Sequence, residues 1–123
     1  LNKDDFSDTL SDEEVNGMTE IPSQHTNIKK RFKKFLKAVD NLGSIARSTG
    51  PLDKKTSHLI QLAAAASIRS EGSVHSHTRR ALELGATPEE IYHAIILLTS
   101  TIGFPTVSAA ISWVDDVIKN QKS

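Results

Sequence analysis

The sequence predicts an all-α protein. Three observations carry that reading: apolar residues recur at three- and four-residue steps through most of the chain, helix-start signals stand at Asp53 and at Thr87-Pro88-Glu89-Glu90, and no segment alternates as a half-buried strand would. At 123 residues the chain has the usual length of one core-bearing domain.

Residues 1–20 carry Asp4, Asp5, Asp8, Asp12, Glu13, Glu14 and Glu20 against Lys3 alone, with Phe6, Leu10 and Val15 as scattered apolar anchors. This composition predicts an acidic arm over residues 1–25, either a loose terminus or a short helix at Ser11 to Asn16 docked on a neighbour. Ile21-Pro22 marks a break, and residues 26–123 form the helical domain. Within it, Ile28, Phe32, Phe35, Leu36, Val39, Leu42 and Ile45 fall on one stripe of a first helix. Lys29, Lys30, Arg31, Lys33, Lys34 and Lys37 form its charged face, a solvated surface suited to meeting the acidic arm of the same or an adjacent subunit.

Thr49-Gly50-Pro51 ends that segment, and Asp53 caps a second helix running to about Arg69. Its run Ala63-Ala64-Ala65-Ala66 favours helix and lets a neighbouring helix come close. A third helix spans about Ser73 to Leu84 and stops at Gly85, a natural left-handed C-terminal position. The fourth starts at the Thr87 cap with a first-turn proline and two carboxylates at the positive end of the helix dipole. From Ile91 to Leu98 it is apolar around most of its circumference, which calls for burial between subunits. After a break at Gly103-Phe104-Pro105, the residues Val107, Ala110, Ile111, Val114 and Val117 or Ile118 define a last helix ending near Asn120.

Fifteen basic and fifteen acidic residues cancel, so no bulk field draws the chain to nucleic acid or to a membrane. The longest mostly apolar run, Ile91 to Phe104, is interrupted by polar residues and falls short of the roughly 20 residues a span requires. No secretory signal pattern stands at the start, and a cytoplasmic location is the expectation. The absence of cysteine removes disulfide, zinc-ribbon and thiol chemistry from these residues.

The order Leu52-Asp53-Lys54-Lys55-Thr56, Leu59-Ile60-Gln61-Leu62-Ala63, His77, Ala81-Leu82-Glu83-Leu84-Gly85-Ala86-Thr87-Pro88-Glu89-Glu90-Ile91 and Gly103-Phe104-Pro105 resembles the carboxymuconolactone decarboxylase family, which includes the alkylhydroperoxidase D proteins. The resemblance implies an alkylhydroperoxidase D-like helical domain built around an antiparallel helix pair and assembled as homotrimers or homohexamers, with sites between helices. Peroxidase members carry a CxxC at the start of the third helix, four residues before a histidine, and a glutamate upstream. Carried over, the cysteines fall on Ser70 and Ser73, the histidine on His77 and the glutamate on His58. Serine offers no accessible thiolate, so the disulfide-based mechanism of those relatives is closed to these side chains.

The decarboxylase branch does not use the cysteine pair. There the resemblance implies a cofactor-free enzyme, without a metal, acting on a small-molecule carboxylate or lactone. His77 is the candidate proton donor, with His58, Ser70 and Ser73 beside it, and Arg79 or Arg80 and His93 are candidates to hold the substrate. The residues also admit plainer roles. His58 and His93 suit a buried polar layer, Ser70 and Ser73 suit helix capping, Tyr92 and Trp113 suit packing, and His75 is expected to be exposed. Three imidazoles converging from three helices would instead bind a transition metal. A non-catalytic oligomeric binding or scaffold protein of the same fold is the alternative to an enzyme.

Overall fold

A computed structural model of the chain describes the backbone of residues 23–122 and the side chains of residues 27–120. Residues 1–22, which hold most of the expected acidic arm, the short helix expected at Ser11 to Asn16 and the Ile21-Pro22 break, lie outside the described residues. Every regular element among the described residues is a helix. The chain divides into two compact units between Pro51 and Leu52.

The first unit holds α1 (Ser23–Arg31) and α2 (Lys33–Ser48). The expected single helix is interrupted at Phe32, whose φ of −137° and ψ of 59° lie outside the helical region. No glycine or proline announces this break. The Arg31 guanidinium stands over the Phe32 ring, 5.0 Å from its centroid. Of the apolar stripe only Leu36 is buried, while Phe35, Val39, Leu42 and Ile45 are exposed. The last turn is closed by Thr49, whose hydroxyl donates to the Ile45 carbonyl at 2.7 Å.

The second unit holds α3 (Lys54–Ser67), α4 (Glu71–Glu83), α5 (Pro88–Ile96), α6 (Thr99–Ile102) and α7 (Phe104–Lys122). Asp53 caps α3 as expected, its carboxylate accepting from the Thr56 backbone N–H at 2.7 Å. Between α3 and α4 the chain reverses through Ile68, Arg69 and Ser70. Arg69 takes a φ of +57°, a left-handed conformation uncommon for a side chain of its size. Its guanidinium donates to the Thr106 hydroxyl at 3.0 Å, anchoring the turn to the start of α7. Gly85 ends the next segment at a φ of +95°, where only glycine is at ease.

Helix α5 opens with a complete capping box: the Glu90 N–H donates to the Thr87 hydroxyl at 3.1 Å and the Thr87 N–H donates to the Glu90 carboxylate at 2.9 Å. It ends at Ile96, two residues short of the expected end. The backbone then turns through Leu97 and Leu98 into the short α6 before Gly103, at a φ of +91°, releases the chain into α7.

Helices α3 and α4 pack as an antiparallel pair, and α5 and α7 cover them. The core comprises Leu62, Ala65 and Ala66 from α3, Val74 and Ala81 from α4, Ile91 and Ile95 from α5, and Val107, Ala110, Val114 and Ile118 from α7. The alanine run performs the expected task, because Ala65 and Ala66 face the core and their small side chains let α3 lie close to its neighbours. Tyr92 and Trp113 pack at the core's edge, half-buried.

Candidate functional site

His58 lies one turn into α3 and is buried to 6 % exposure, while His77 lies midway along α4 and is half-buried. Packing of the two helices brings Nδ1 of His58 to 3.1 Å from Nδ1 of His77, with ring centroids 5.3 Å apart and the planes tilted by 43°. One hydrogen bond accounts for this approach. It needs a proton on one facing nitrogen and a lone pair on the other, so the two rings must differ in protonation or tautomer at any instant. A site built from two identical side chains thereby contains one donor and one acceptor.

The other sequence candidates occupy distinct places. His93 is exposed on α5, so the three-imidazole cluster required for a shared metal does not form in this chain. The reason is helical phase: Ile91 and Ile95 point into the core, and a residue two positions from each faces away. Ser70 stands at the N-cap of α4, but its hydroxyl makes no capping bond, contrary to the capping role expected for it. Ser73 lies inside the first turn of α4 rather than at its start, because the helix begins at Glu71. Both serines are half-buried, on the turns leading to His77. Arg80 donates to the Glu83 carboxylate one turn on, at 3.2 Å, whereas Arg79 is buried to 6 % exposure. The Thr78 hydroxyl, next to His77 and fully buried, has no hydrogen-bond partner.

His75 departs from expectation. It is half-buried, and its Nε2 lies 3.1 Å from the Asp116 carboxylate on α7. No local pattern announces this pairing across 41 positions. Tyr92 and Asp115 were missed in the same way: the phenol donates to the carboxylate, and burial together with that neighbouring negative charge pushes the phenol up to about 12. Backbone N–H donors act in the opposite sense on two capping carboxylates. The Thr56 N–H holds Asp53 below the usual range, and the Thr87 N–H, aided by Lys55, does the same for Glu90. Lys55 meets Glu90 at 3.2 Å, linking the first turn of α3 to that of α5.

An all-helical domain with an antiparallel pair and a histidine midway along the second partner defines a class already suggested by the sequence motifs. The family model for the carboxymuconolactone decarboxylase family matches residues 33–116, and the chain belongs to that family. An uncharacterized protein of Methanocaldococcus jannaschii is 32 % identical over 94 residues, covering 76 % of this chain and 88 % of that protein. Among solved structures, the apo form of a carboxymuconolactone decarboxylase family protein from Legionella pneumophila superimposes with a TM-score of 0.70 at 25 % identity, covering 89 % of this chain and 97 % of that one. A family member from Thermotoga maritima, whose description suggests a part in an antioxidative response, shares the fold at a TM-score of 0.63 and 24 % identity, over 81 % of this chain and 88 % of its own.

Proposed function

We propose that the protein is a cofactor-free lyase or isomerase acting on a small carboxylated or lactone substrate, with His77 exchanging a proton with the substrate and His58 setting the protonation state of His77. The observation that supports this is the 3.1 Å approach of the two Nδ1 atoms. In a lactone decarboxylation the bond to the carboxylate carbon breaks, carbon dioxide leaves, and the electron pair remains on the substrate, delocalised toward the lactone carbonyl. A proton must then reach carbon, and a positioned imidazole supplies such a proton with a contribution of about 10²–10⁴-fold. The guanidinium of Arg80, three residues on from His77 along the same helix, is the candidate for pairing with a substrate carboxylate, whereas Arg79, two residues on, leaves α4 on a different face. The antioxidative role suggested for the Thermotoga maritima relative would, if it ran through a dithiol, be unavailable to a chain without cysteine.

Self-association as a homotrimer or homohexamer is part of the same reading. Phe35, Leu42, Ile68, Leu97 and Phe104 are each more than 60 % exposed, and a second copy of the chain is the occupant that would cover them. The same exposure supports the alternative, a non-catalytic oligomeric scaffold. No helix among the described residues is long and apolar enough to cross a membrane.

The test is incubation of the protein with carboxymuconolactone and related small lactones and acids, followed by ultraviolet absorbance. Turnover that falls about 10²-fold or more in His77→Gln, and less in His58→Gln, is the expected result. No turnover on any of these substrates, or turnover indifferent to His77, would leave the scaffold reading in its place.

A further inference from the structure

The geometry points to a binding site for a divalent transition-metal ion formed by Glu71, His75 and Asp116, separate from the His58–His77 pair and independent of the proposed reaction. One ligand atom from each side chain lies within 4.8 Å of the other two. Nε2 of His75 stands 3.1 Å from Oδ2 of Asp116 and 3.9 Å from Oε2 of Glu71. An ion bound at about 2.1 Å to each atom in tetrahedral array needs them about 3.4 Å apart, so shifts of about half an ångström or less at the two His75 contacts, and of up to about 1.4 Å between the two carboxylates, complete the geometry.

The three groups come from two packed helices. Glu71 and His75 are one turn apart on α4, which places both on one face, and Asp116 projects from α7 toward it. The imidazole is the fixed member, its side chain only 15 % exposed, next to Val74 in the core. The carboxylates are the adjustable members, at 57 % and 54 % exposure, and can move to meet an ion at little cost. Two exposed carboxylates turned toward one imidazole nitrogen set acidic oxygen donors beside a nitrogen donor. That mixed donor set suits zinc, cobalt or manganese, whereas calcium and magnesium favour oxygen alone.

His75 and His77 are two positions apart, so they leave α4 on nearly opposite faces. An ion at His75 therefore ties α4 to α7 without entering the space beside His77, and its role is that of a clamp. A proton on the imidazole competes with the ion for the same lone pair, since a protonated His75 would bridge the carboxylates by hydrogen bonding alone.

The experiment uses the full chain without an affinity tag, stripped with a chelator and titrated with zinc, cobalt or manganese at mildly alkaline pH by calorimetry, with parallel thermal denaturation. Saturation at one ion per chain and a rise in melting temperature are expected. Affinity should fall about tenfold or more in Asp116→Asn and in His75→Gln, and remain in His58→Gln and His77→Gln. Bound cobalt should show the visible absorption of mixed nitrogen and oxygen coordination. No saturable binding, or binding that survives both Asp116→Asn and His75→Gln, overturns the proposal and leaves a plain ion pair. Loss of lyase activity alone would bear only on the His58–His77 site.

Discussion

His58 and His77 face each other nitrogen to nitrogen across the α3–α4 interface, at 3.1 Å. Two protonated Nδ1 atoms could not hold that separation. The pair therefore shares a single proton between its facing atoms, and a second proton there must break the contact or rotate a ring.

Nitrogen-15 chemical shifts of the histidine side chains should accordingly report different tautomers or charges for the two residues at neutral pH. In His58→Gln the His77 nitrogen shifts should change, because the facing ring that fixes its tautomer is gone. Identical tautomers and charges on the two rings in the unaltered protein would contradict the contact.

Acid stability should depend on the start of α5. The Glu90 carboxyl is lowered from 4.5 in the folded protein by the Thr87 N–H and Lys55. A group whose folded value is depressed stabilises above its unfolded value, and the benefit is lost as pH falls through the folded value. Melting temperature should thus decline more steeply below about pH 4.5 in the unaltered protein than in Glu90→Gln. Thr87→Ala, which removes the reciprocal hydroxyl, should cost about 1 kcal/mol at neutral pH.

At the alkaline end the controlling residue is Tyr92. Its folded value of about 12 lies above the unfolded 10.0. The associated stabilisation is complete below pH 10 and vanishes as pH rises toward 12. Tyr92→Phe should flatten the melting-temperature profile over that interval, and phenolate absorbance at 295 nm, roughly the wavelength of tyrosinate, should appear late in the unaltered protein.

Thr78→Val should raise stability by about 1 kcal/mol in chemical denaturation. The fully buried hydroxyl has no partner, and replacing it with a methyl of the same shape removes the desolvation cost without opening a cavity. A loss of stability would show that the hydroxyl is satisfied in solution by water.

The helix starts at Asp53 and Thr87 were legible in the sequence because a cap is a local event, decided by residues three apart. The core face of α7 was equally legible, since Val107, Ala110, Val114 and Ile118 carry their own phase. The break at Phe32 was not, because no glycine or proline marks it. For the site, motif order placed His58 and His77 on packed helices, but their separation follows from helix crossing and ring rotation, which spacing does not encode. His93 could have been set aside from its register relative to Ile91 and Ile95 alone. The Asp116 partner of His75 could not have been found, because it depends on how α7 lies across α4.

Arg69 makes the hairpin a lever. Its left-handed backbone is the pivot between two rigid rods, with His58 and His77 standing about 16 Å and 12 Å along them at 1.5 Å per residue. A swing of about 4° at that pivot would displace a ring by about 1 Å, an error of the size that costs a catalyst about 10²-fold. The alignment of the two imidazoles therefore depends on the core packing of α3 against α4, which holds that pivot still.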